Sequence, residues 1–131
     1  MIRGTTAQFK FKLPYSLSQL EWVNIKFWQP NNPHSLLPIT KTKTHCSEAA
    51  TNEVCVSLTS EETARFSDKY KAKVQLRAQP DVNLGGPVFG SKEQIITVYP
   101  MRDDIIDGDI AVETPNTTAE GWIILDGGEI G

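Results

Sequence analysis

Histidine and cysteine are scarce, with two of each in 131 residues. His34, His45, Cys46 and Cys55 do not fall into the tight ligand pairs that zinc sites use, so no metal is expected. Both histidines lie in or beside polar loops, and no nucleophile-elbow motif accompanies a serine or cysteine, so no catalytic residues are expected and the chain does not read as an enzyme. No apolar run approaches 18 residues, which excludes a transmembrane helix from the reading. The opening Met1-Ile2-Arg3-Gly4-Thr5-Thr6 has no apolar core of a secretory signal. With that context the two cysteines read as reduced thiols, and Cys55 as a small buried strand residue.

Lysine and arginine are absent beyond Arg102. All 13 bases and eight of the 16 acids lie in residues 1–102, a balance of +5; residues 103–131 carry the other eight acids, a balance of −8. A mildly basic body thus carries an acidic arm, which like-charge repulsion extends. The bases of the body are interleaved with apolar residues, as on a solvated sheet face, so neither nucleic acid nor a membrane is an expected partner.

What is present is alternation. Ala7-Gln8-Phe9-Lys10-Phe11-Lys12-Leu13 puts Ala7, Phe9, Phe11 and Leu13 on one face, the period of a half-buried strand. Residues 21–29 alternate as well: Val23, Ile25 and Phe27 point one way, while Trp22, Asn24, Lys26 and Trp28 point the other. Two tryptophans on a nominally outer face mark a candidate contact patch. Further strands are expected over 36–44, 53–58, 71–78 and 93–99. Thr59-Ser60-Glu61-Glu62 is a capping box that starts one short helix. The pattern predicts an all-β fold: an immunoglobulin-like antiparallel β-sandwich over residues 1–102, with one short helix and an extended acidic C-terminal arm over 103–131; a small barrel is the alternative.

Trp122-Ile123-Ile124-Leu125 follows the linker-like stretch 113–121 and places four large apolar residues in a row. Burying them is worth roughly 6–12 kcal/mol, against about 1–2 kcal/mol per residue of backbone ordering. Apolar on both faces, the segment suits a seat on a sheet edge, either of its own sandwich or of a neighbour. A flexible chain of the length of residues 103–121 spans about 25 Å, beyond a domain radius of gyration of about 14 Å, so both seats are within reach. Trp122, Ile123, Ile124 and Leu125 are the expected docking anchors, with Trp22 and Trp28 as the second patch.

Two look-alike motifs fail on chemistry. Gly85-Gly86-Pro87-Val88-Phe89-Gly90 lacks the Gly-Lys-Ser/Thr end of a phosphate loop, and Pro87 removes a donor, so no cofactor is expected. Asp103, Asp104, Asp107 and Asp109 suggest calcium, but Ile105 and Thr114 occupy positions where an EF-hand loop needs oxygen ligands.

The opening 1–6 before an alternating strand, the block Leu58-Thr59-Ser60-Glu61-Glu62-Thr63-Ala64-Arg65-Phe66, and the strands Val74-Gln75-Leu76-Arg77 and Ile95-Ile96-Thr97-Val98 together resemble small virion proteins of tailed phages and prophages. These are similar to the N-terminal sandwich of upper baseplate proteins, and the likeness spans roughly residues 1–110. The longer turn 30–34 and the loop 85–90 depart from that layout, and no receptor-binding head follows. The resemblance implies a structural adaptor of the tail or baseplate, made in the host cytoplasm and carried in the virion. It would bind other virion proteins or copies of itself as an oligomer in assembly. A capsid or neck accessory protein, and a soluble phage-encoded inhibitor whose acidic arm mimics nucleic acid, are the alternatives.

Overall fold

The structure is a computed structural model and describes residues 1–33, 38–48, 50–81, 83–100 and 122–126. Its strands are β1 (Ala7–Lys12), β2 (Leu20–Trp28), β3 (Ile39–Thr42), β4 (Glu53–Leu58), β5 (Ala72–Pro80), β6 (Phe89–Gly90), β7 (Gln94–Ile96) and β8 (Trp122–Asp126). One short helix, α1 (Ser60–Thr63), joins β4 to β5. The strands form two sheets: a three-stranded one in the order β4-β1-β8, and a five-stranded one in the order β3-β2-β5-β6, with β7 also paired to β5. The protein is therefore all-β, as the alternation predicts.

The two sheets share one core. Phe9 and Phe11 of β1 meet Val54, Val56 and Leu58 of β4, with Val23, Ile25 and Phe27 of β2 and Val74 and Leu76 of β5 completing it. The Phe9 and Phe27 rings bridge the two layers with centroids 5.0 Å apart. Every second residue is buried along β1 and β5, because successive side chains of a strand point to opposite faces.

The capping box closes as its sequence predicts. The Glu62 backbone N–H donates to the Thr59 hydroxyl at 3.2 Å, and the Thr59 N–H donates to the Glu62 carboxylate at 3.0 Å. This turns the chain from one sheet to the other. Lys41 of β3 then reaches Glu62 at 2.8 Å, tying the five-stranded sheet to the helix. Burial alone would push the Glu62 carboxyl up; the Lys41 and Thr59 hydrogen bonds and the Lys41 charge outweigh it, so the group lies below the ordinary glutamate value.

Several expectations are corrected. The strand pairing is not wholly antiparallel: β8 runs parallel to β1, with Phe9 opposite Ile123 and Phe11 opposite Leu125. The strand expected over 36–44 is confined to Ile39–Thr42 and turns into a 3₁₀ segment at Lys43–His45; residues 34–37 lie outside the described residues. The strand expected over 93–99 is regular only at Gln94–Ile96, after which Tyr99 bridges Ile2. The glycine- and proline-rich stretch 80–90 contains the short strand β6, paired to β5. Two of its glycines have packing reasons. A Cβ on Gly90 would stand 2.6 Å from the Leu76 carbonyl oxygen, and one on Gly86 would stand 2.9 Å from the Tyr15 hydroxyl.

Candidate functional site

The C-terminal strand is held on the free edge of β1. There β1 already pairs with β4 on its other side, in register from Ala7 opposite Leu58 to Lys12 opposite Glu53. Residues 122–126 complete the sheet along Gln8–Lys12. Ile123 and Leu125 enter the core at 3% and 8% exposure, while Ile124 is half-buried on the other face, beside Lys10. Trp122 and Asp126 are placed by backbone register only, opposite Gln8 and Lys12. Of the four apolar anchors read from the sequence, two therefore serve this chain's own core, because a strand can turn only alternate residues toward one layer.

The connection to this strand is long. Tyr99 is tied to the N-terminal segment, its N–H donating to the Met1 carbonyl at 2.8 Å and its carbonyl accepting from the Arg3 N–H at 3.0 Å. Trp122 resumes pairing at Gln8. The two tethers are thus seven or fewer residues apart along the N-terminal chain, at most about 25 Å, whereas the 22 intervening residues can reach about 70 Å. The four aspartates weighed for calcium, Asp103, Asp104, Asp107 and Asp109, lie outside the described residues.

The second candidate patch lies on the opposite layer. Trp22, Asn24, Lys26 and Trp28 occupy the outer face of β2, next to Lys73, Gln75, Arg77 and Gln79 of β5. Trp22 is 36% exposed, and its indole N–H donates to Gln79 Oε1 at 2.9 Å. Trp28 is half-buried, with the Lys26 ammonium 5.8 Å from its ring centre. Six residues of strand separate the two indoles by about 20 Å, so they mark two ends of one face rather than a cluster. Ile95, opposite Lys73 on β7, adds an exposed apolar side chain to the same face. The two sets of candidate residues are thus not brought together: β8 belongs to one sheet, and the tryptophans of β2 to the other.

The thiols sit apart from both. By register Cys55 shares the face of Lys10, not that of the core, yet it is buried. The reason is a return of chain across it. Ser47 pairs with Cys55 through two backbone hydrogen bonds of 2.9 and 2.7 Å, which brings the 46–48 segment over β4. Burial, with Cys55 nearby, pushes the Cys46 thiol up to about 11. His45 Nδ1 accepts from the Thr42 backbone N–H at 3.1 Å and is spent on the local turn. Among the described residues no three His, Cys, Asp or Glu side chains converge in a metal-holding group, and no helix is long and apolar enough to cross a membrane.

The sequence reading passed over one feature, the loop after α1. Gln29 is 3% exposed, and its side-chain amide donates to the Ser67 and Tyr70 carbonyls at 2.8 and 2.9 Å, while its oxygen accepts from the Ser67 N–H at 2.9 Å. A glutamine at the end of an amphipathic strand carries no signal of this in sequence. No family model, no curated protein and no solved structure matches this chain.

Proposed function

We propose that the protein is a non-enzymatic structural subunit of a phage particle. In this reading it is an immunoglobulin-like β-sandwich that acts as a tail or baseplate adaptor and joins neighbouring virion proteins, or copies of itself, by strand addition. One observation carries the reading: a tethered terminal strand closes a sheet edge that β1 leaves open. A strand held this way makes the same backbone ladder and fills the same two side-chain sites whichever copy supplies it, so exchange between copies costs little once the tether is long enough. The resemblance of roughly residues 1–110 to small virion proteins supports the particle; the outer face bearing Trp22 and Trp28 supplies a second contact surface, since aromatic side chains are enriched at interfaces.

The experiment uses two single-cysteine chains in a Cys46→Ser, Cys55→Ala background, one carrying Lys10→Cys and the other Ile124→Cys, positions opposite each other in the β1–β8 register. Mixed during assembly at high concentration and oxidised, they form a disulfide-linked pair if strands are exchanged. If cross-linking occurs only when both cysteines are on one chain, at every concentration tried, the strand serves its own sandwich alone and the connector reading fails.

A further inference from the structure

The edge of a sheet presents unpaired N–H and C=O groups that accept another strand, and proteins blunt it with short strands, proline, lysine or a covering segment. Most edges of this fold are blunted in those ways. The outer edge of β4 is met by Ser47, which exchanges two backbone hydrogen bonds with Cys55. β3 is four residues long, follows Pro38 and carries Lys41. β6 and β7 are two and three residues long, with Lys92 and Glu93 between them.

β8 has none of these guards. It ends the three-stranded sheet, and among the described residues no strand pairs with its outer edge. Trp122–Asp126 contains no proline, glycine or lysine, and its register with β1 runs unbroken from Gln8 to Lys12. Ile123 and Leu125 are anchored in the core, so the strand is held extended before any partner arrives, which lowers the ordering cost of pairing.

From this geometry we propose that β8 pairs antiparallel with β8 of a second copy across a two-fold axis, making one continuous sheet in the order β4-β1-β8-β8-β1-β4. The inference rests on the assembly reading but not on strand exchange, because the edge is the same whichever copy supplies β8. A pairing centred on Ile124 sets Ile123 opposite Leu125 of the second copy, and Trp122 opposite its Asp126. Opposite residues of an antiparallel pair share a face, so both inward rows stay on the core side and the two sandwiches lie side by side. A two-fold contact also closes on itself, since one edge serves both copies. Charge selects the direction. Six of the eight acids beyond Arg102 precede Trp122 in the chain. Antiparallel strands bring these two acidic stretches in at opposite ends of the pair, about 17 Å apart, whereas parallel strands bring them in side by side. That separation is about two screening lengths at physiological salt. The ladder is short, so the contact belongs to the weak class and is filled where copies are concentrated.

The test is made on the full chain. Ile124→Cys, in the Cys46→Ser, Cys55→Ala background, places one thiol on the two-fold axis, directly opposite its mate. On mild oxidation with glutathione disulfide it is expected to form the 124–124 dimer at least tenfold faster than Ser57→Cys in the same background, an exposed control on the outer face of β4. Ile124→Glu is the second variant. Within its own chain the new carboxylate stands beside Lys10, but across the axis it meets another carboxylate. Sedimentation is expected to show a concentration-dependent dimer for the parent chain and at least tenfold weaker pairing for Ile124→Glu, with the dilute variant melting within a few degrees of the parent. The proposal is overturned if the parent sediments as a monomer at every concentration, if Ile124→Glu pairs as the parent does, or if the 124 and 57 thiols cross-link at equal rates. A 10–124 cross-link between chains without a 124–124 one overturns this pairing and leaves strand exchange standing; the opposite result upholds the pairing and ends strand exchange.

Discussion

Truncating single side chains of β8 tests the placement of that strand directly. Ile123 is 3% exposed and faces Phe9 and the core, whereas its neighbour Ile124 is half-buried on the opposite side. Deleting an interior isoleucine to alanine costs about 2–5 kcal/mol, a lost transfer term plus the cavity left behind. A half-buried isoleucine at a sheet edge leaves no enclosed cavity, so Ile124→Ala costs about 1 kcal/mol or less. For a chain of this size each kcal/mol corresponds to about 3–5 °C in Tm. Ile123→Ala is thus expected to melt about 6–25 °C lower than the parent, and Ile124→Ala within about 5 °C of it. Leu125→Ala behaves as Ile123→Ala does, because it stands opposite Phe11 in the same inward row. Thermal unfolding followed by circular dichroism, at two protein concentrations, measures all three. Equal losses at 123 and 124, or a larger loss at 124, refute the register. No loss at any of them refutes the docking of the strand altogether.

Three further outcomes follow from the described contacts. Gln29→Ala removes the partners of one buried N–H and two carbonyls of the 67–70 loop, and is expected to cost about 2–4 kcal/mol in urea unfolding, far more than the neighbouring exposed Asn31→Ala. The Glu62 carboxyl is depressed in the folded state, so its contribution is present at neutral pH and disappears as pH falls below the ordinary value of 4.5. Glu62→Gln should therefore cost of order 1 kcal/mol at pH 7 and much less at pH 3, measured by urea titration at both. With the Cys46 thiol pushed up to about 11 from an ordinary 9.0, the thiolate fraction at pH 8 falls about a hundredfold. The remaining thiolate is about tenfold more nucleophilic, so alkylation of Cys46 in the native protein should be about tenfold slower than in urea, followed by mass spectrometry of the modified peptide.

Much of the fold was readable because a half-buried strand repeats every two residues, and solvent on one side forces polar residues into the alternate positions. Ala7, Phe9 and Phe11 in β1, Val23, Ile25 and Phe27 in β2, and Ala72, Val74, Leu76 and Ala78 in β5 are buried where alternation puts them. The helix start at Thr59 was equally readable, since a capping box is satisfied by residues three apart. The candidate site was less so. The sequence marks 122–125 as needing burial, and the core accepts Ile123 and Leu125, but a run of four apolar residues carries no direction and names no partner strand.

Local chemistry, then, was written in the order of residues: which segments extend, which side of each is apolar, where the chain turns, and that charge separates into a basic body and an acidic end. Assembly of those segments rested on contacts between positions far apart in the chain. The parallel seat of β8 depends on β1 having one edge left over after pairing with β4. Cys55 is buried on a nominally outward side because Ser47 returns across it, and Gln29 is buried because a loop 38 residues later folds over it. Burial of such residues is a property of the neighbour that covers them, and neighbours separated by tens of residues leave no periodic trace in either segment.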